Sequence, residues 1–127
     1  MNMDTLQISS DASGADLAPL AMSIHHIAGH MPVVIRGKNK HGIIVEDGLI
    51  RDSVYESRAL NVIFDGNVCA CVKPEGGRHA GLPIFASAIT DKTGKTIAAV
   101  GIIDTSGLLE MKKFVDIRDH LETQLNI

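Results

Sequence analysis

LPIFASAITDKTGKTIAAVGIID, residues 82 to 104, reads as two strands joined by a tight turn. Pro83 to Ile89 and Thr96 to Ile103 are apolar on both strand parities. Side chains alternate between the two faces of a strand, so a run that is apolar on both belongs in the middle of a covered sheet. Asp91-Lys92-Thr93-Gly94 carries the turn chemistry, with glycine where a short hairpin loop needs a positive φ. The covering layers come from helices, a second sheet or a partner subunit.

Working outward, residues 1–13 are polar and read as a flexible N-terminal arm, leaving 14–127 as a single domain. A helix is predicted from Asp16 to His30, with Ser13 or Asp16 as its cap. Leu17, Leu20, Ala21, Ile24, Ile27, Ala28 and Met31 form its apolar stripe, and Gly29 and Pro32 end it. Val33 to Arg36, His41 to Glu46 and Leu49 to Val54 read as strands, joined by Gly37-Lys38-Asn39-Lys40 and by Asp47-Gly48. Glu56 to Phe64 carries mixed signals and is read as a short helix ending at Asp65-Gly66. Asn67 to Lys73 is a further strand. A last helix spans roughly Leu108 to Gln124, striped by Leu108, Met111, Phe114, Val115, Leu121 and Leu125, with Arg118 set inside the stripe. Strands joined by hairpins make an antiparallel sheet. The expected fold is α+β, a central antiparallel sheet of about five strands flanked by helices, with the 83–103 hairpin at its centre.

The chain has 127 residues and a net charge of -3. That charge, no Trp, one Tyr and three Phe argue against nucleic-acid binding, which calls for a basic surface and stacking aromatics. No apolar run approaches the roughly 20 residues a membrane span needs, and the N-terminus lacks a signal-peptide pattern, so a cytoplasmic location is expected. Cys69 and Cys71 read as reduced thiols.

Two loops are candidate binding sites. Glu75-Gly76-Gly77-Arg78-His79-Ala80-Gly81 combines glycines, whose backbone N–H groups can converge on an anion, with a guanidinium that grips carboxylate or phosphate in two prongs. No Lys-Ser/Thr pair completes a Walker loop, and the plainer alternative is a connection whose glycines supply positive φ. Glu75 is also close enough in sequence to pair with Arg78. Arg36-Gly37-Lys38-Asn39-Lys40-His41 is the second, either an anion contact or a solvated turn. The tentative anion-binding set is therefore Gly76, Gly77, Arg78, His79 and Arg36. Cys69 and Cys71 share one strand face but lack the second pair a structural zinc site would need, and the plain reading is two small core residues. His26 and His30 have the spacing of paired metal ligands, yet with His25 they are read as exposed, opposite the apolar stripe. No catalytic residue, metal or cofactor is assigned.

Asp91, Gly94, Lys95 and Val100-Gly101-Ile102-Ile103-Asp104 resemble the terminal hairpin of PAS-like sensor domains. Pro32 to Leu125 is also similar to the methanogen domain of unknown function numbered 2111, through Arg36-Gly37, the Glu75 to Pro83 loop and the Asp91 to Gly107 block. The second resemblance implies no activity. The first implies a PAS-like or profilin-like sheet acting as a sensor or dimerisation module, here with too few aromatics for a flavin or haem and no output domain following in the same chain. The expected function is a non-enzymatic small-ligand-sensing or regulatory module with an anionic ligand at Arg78. The alternatives are a small enzyme using Cys69, Cys71 or His79 on an anionic metabolite, and a pure protein-interaction scaffold. A homodimer is expected, because the first helix and the two-sided strands carry more apolar surface than one small sheet covers.

Overall fold

The computed structural model describes residues 5–107. Its elements run α1 (Ala18–Ile27), β1 (Val33–Gly37), β2 (Gly42–Glu46), β3 (Leu49–Tyr55), α2 (Arg58–Phe64), β4 (Cys69–Val72), β5 (Ile84–Thr90) and β6 (Thr96–Ile103). The last helix read from the sequence, with Arg118, lies outside the described residues. The fold is α+β: one antiparallel sheet, ordered β3-β2-β1-β6-β5-β4, with a helix on each face. It has six strands rather than about five, because the mixed stretch after Asn67 still yields the short edge strand β4.

The β5–β6 hairpin occupies the middle of the sheet as its two-sided apolar pattern requires. β6 pairs with β5 on one side and with β1 on the other, Val34 standing opposite Gly101. Its turn is tied by Asp91, whose Oδ1 accepts from the Thr93 N–H, the Thr93 hydroxyl and the Lys95 N–H at 2.9, 2.7 and 3.0 Å. Gly94 has φ +88°. The β2–β3 turn is tighter still, with Asp47 and Gly48 both at positive φ (51° and 77°), as a two-residue hairpin twisted with its strands demands.

Strand parity divides the core in two. Val34, Ile44, Ile84, Ala86, Ala99 and Ile103 face α2, whose Ala59, Leu60 and Ile63 are buried against them. Val33, Ile35, Ile43, Val45 and Ala98 face α1 through Leu17 and Ala21. Two glycines let the chain before α1 close over the β1–β2 end. A Cβ on Gly37 would sit 2.2 Å from the Ala12 carbonyl oxygen, and one on Gly14 would sit 2.4 Å from the Ile43 nitrogen. Residues 9–14 hydrogen-bond there: Gly37 N–H to Ala12 O, Asn39 N–H to Ser10 O, and Gly14 N–H to His41 O. Ser13 and Asp16 exchange side-chain-to-backbone bonds of 3.1 and 3.0 Å, a capping box one turn ahead of α1.

The α1 stripe is rotated from the one read in the sequence. Ile27 is 85% exposed, and His25, expected in water, is fully buried. Its ring is satisfied at both nitrogens. The Gly48 N–H donates to Nε2 at 3.0 Å, which makes Nδ1 the protonated nitrogen donating to the Met31 carbonyl at 2.8 Å. A histidine with both nitrogens bonded fits a core that an unpaired one would not. His26 and His30 are exposed as expected, and His30 stacks on His25 with ring centroids 5.0 Å apart.

Candidate functional site

Between β4 and β5 the chain crosses the α2 face of the sheet in the loop 73–83. Its glycines shape it: Gly77 and Gly81 have φ of +82° and +78°, and the Gly81 N–H closes the loop on the Pro74 carbonyl at 2.8 Å. The loop walls an open cleft of about 370 Å³ against β2 and β3, lined by Ile44, Arg51, Asp52, Tyr55, Pro74, Gly76, Gly77, Arg78 and His79. Four of the five residues singled out for anion binding thus share one cleft.

Glu46 organises it. As the last residue of β2 it follows Ile44 on the α2 face, so strand parity turns its carboxylate inward rather than into the adjoining turn. Its side chain is 13% exposed, and it meets both polar residues of the loop. Arg78 pairs with Oε1, and the His79 Nε2 lies 3.7 Å from Oε2, beyond hydrogen-bond reach. Glu46, rather than Glu75, is thus the acid that pairs with Arg78. Burial lowers the His79 pKa from its ordinary value of 6.5, and the Arg78 charge lowers it further. The ring is therefore neutral at pH 7, and the ion pair rests on Arg78 alone. Burial raises the Tyr55 phenol, with Asp52 adding to the effect. Arg51 at the cleft wall bonds Asp47 at 3.2 Å, both side chains being solvent-accessible.

Arg36 stands apart. It lies at the other end of the β1–β2 pair, roughly 13 Å along the strands from Glu46. Its guanidinium stacks on Phe64 at 4.4 Å, and it donates to the Lys38 carbonyl at 2.9 Å and to Asn61 Oδ1 at 2.9 Å. It clasps the basic turn to α2. Partial burial lowers its pKa, against the opposing pull of Glu56.

The two cysteines lie on the opposite face from His79. Cys69 stands across from Ser87 and Cys71 from Phe85, and those residues stand across from Val100 and Ile102, which pack on the α1 side. Both thiols are exposed, where a buried position was the plain expectation for them. The sheet therefore separates the cysteines from His79, and the trio weighed for an enzyme is not assembled. Among the described residues no three His, Cys, Asp or Glu side chains are grouped to hold a metal ion, and no helix is long and apolar enough to cross a membrane.

The sequence reading missed Glu46, Arg51, Asp52 and Tyr55. The available signal was an acid ending the otherwise apolar run Ile43-Ile44-Val45-Glu46 on an inward parity.

Residues 24–106 match the family described as an uncharacterised protein conserved in archaea (DUF2111). The chain is 32% identical over 106 residues to uncharacterised protein MJ0405 of Methanocaldococcus jannaschii, covering 83% of this chain and 80% of that protein. No solved structure matches.

Proposed function

As this chain belongs to the archaeal family DUF2111, whose description carries no activity, we propose from its own geometry that it is a non-enzymatic sensing module for a small anion. The observation that carries this reading is the Glu46–Arg78 pair inside an open cleft. Arg78 is 63% exposed while its partner carboxylate is almost enclosed, so a carboxylate or phosphate from solvent can reach the guanidinium and displace Glu46 from it. Gly76 and Gly77 leave space for backbone donors beside it, since a Cβ on either would meet nothing within 4 Å. Release of the pair would free the 73–83 loop from β2, giving a ligand-dependent change on one face of a rigid sheet.

The module is proposed to work as a homodimer through β3. This edge strand exposes Leu49, Ile50 and Val54 at 56, 45 and 62%, a run of apolar surface beside an unpaired edge. Light scattering that gives a monomer at high micromolar concentration would remove this part.

Thermal-shift and calorimetric titration with phosphate, sulfate and short dicarboxylates tests the anion reading. Wild type is expected to be stabilised by at least one of them. Arg78→Ala loses that response, and Glu46→Gln strengthens it by releasing Arg78 from competition. Equal responses in wild type and Arg78→Ala, or none at all, leave the loop as a latched connection and favour the scaffold reading.

A further inference from the structure

The α1 face of the sheet is only half covered. α1 packs over β1 and β2 and leaves an open apolar groove of about 270 Å³ above β5 and β6, lined by Ile24, Phe85, Ser87, Val100 and Ile102. Cys69 and Cys71 extend this surface onto β4, as they stand beside Ser87 and Phe85 in register. The opposite face of the same strands is closed by α2, where Ile84, Ala86 and Ile103 are 4, 4 and 0% exposed. The imbalance lies in what covers the two faces, since the strands are apolar on both.

We propose that residues 108–127 of this same chain seat on the groove and form the second half of the α1 layer. Three observations select this occupant. The described chain ends beside the groove: β6 stops at Ile103, one residue past the groove-lining Ile102, and the Ser106 hydroxyl lies 3.6 Å from the Met31 sulfur at the foot of α1. The residues that follow carry the right pattern, with Leu108, Met111, Phe114, Val115, Leu121 and Leu125 at helical spacing and Lys112, Lys113, Asp116 and Glu122 between them. The lengths also agree. A helix over 108–124 is roughly 25 Å long and β5 roughly 23 Å, while the open strands span roughly 10 Å across, the width of one helix. The chain also bends sharply at this point, where Asp104 Oδ1 accepts from the N–H groups of Ser106 and Gly107 at 3.2 and 2.9 Å and Gly107 takes φ +78°. A second copy of the chain would need none of these coincidences.

The cysteines report on the groove without being altered in it. In the full chain, seating of 108–127 shields Cys69 and Cys71 from a bulky maleimide. Labelling of the two single-thiol forms, Cys71→Ser and Cys69→Ser, is compared with and without Phe114→Asp. The expected result is that Phe114→Asp speeds labelling about tenfold, as local opening would, and that Lys113→Asp leaves it unchanged. Leu121→Ala, a milder change, gives a smaller increase should Phe114→Asp fail to fold. Labelling as fast in the unaltered full chain as in urea overturns the proposal. Protection that disappears on dilution also overturns it, because a second copy would then be the cover. The cleft at Arg78 lies on the other face, so this outcome is independent of the anion titration.

Discussion

The Gly48 N–H in the β2–β3 turn donates to the Nε2 of His25 on α1, tying a hairpin tip to a helix through a fully buried ring. The same ring holds the Met31 carbonyl where the chain leaves α1 for β1. His25→Phe fills the space and leaves both partners without their bonds. The expected loss is about 2 kcal/mol, from two buried polar groups stripped of partners. Urea denaturation should give a lower midpoint with an unchanged slope.

His79 makes stability depend on pH in one direction. Its pKa in the folded chain lies below the ordinary 6.5, so below that value the unfolded chain takes up a proton that the folded chain resists. The contribution is complete above pH 6.5 and is lost as the pH falls toward the depressed folded value. His79→Gln should flatten this part of a melting-temperature profile taken from about pH 5 to about pH 8. An unchanged profile in the variant would assign the slope to other groups.

Arg36 and Arg78 should separate under substitution. Arg36→Lys keeps the charge but loses the planar stack on Phe64 and the reach to Asn61, at an expected cost of about 1–2 kcal/mol. It should leave any anion response of the cleft intact. A lost response with unchanged stability would place Arg36 in the binding site after all.

Gly37→Ala tests the segment ahead of α1. The added methyl would overlap the Ala12 carbonyl, which is backbone and cannot rotate away. The segment must lift from the hairpin, breaking the Gly37–Ala12 bond, with an expected loss of about 2–3 kcal/mol. Amide exchange at Gly37 and Asn39 should accelerate, while that at Ile84 to Ala88 should not.

The parts of the fold that were legible are those set by neighbours in sequence. Asp47-Gly48 and Asp91 to Gly94 announce their hairpins, and strands apolar on both parities announce a buried sheet centre. The phase of α1 was misread because histidine was counted as polar, and only the distant Gly48 N–H makes the interior acceptable to His25. The candidate site was half legible for a similar reason. The glycines and Arg78 stand together in one loop, but Glu46 reaches them only because β2 and the loop between β4 and β5 meet across the α2 face. The separation of Cys69 and Cys71 from His79 follows from the pairing of β4 with β5, which local pattern does not encode.

The pairing of β1 with β6 sets the order in which the molecule can be completed. β1, β2 and β3 emerge early in synthesis as a meander whose inner strand has one open edge, and that edge stays open until the last strand has been made. The sheet's centre is therefore its last seam to close, joining residues such as Val34 and Gly101 from opposite ends of the described chain. Closing so wide a loop is slow relative to forming either hairpin. Until then the apolar flank of β1 is the surface most exposed to wrong partners, and substitutions that weaken Val34 or Gly101 should lower the yield of folded chain more than their effect on final stability predicts.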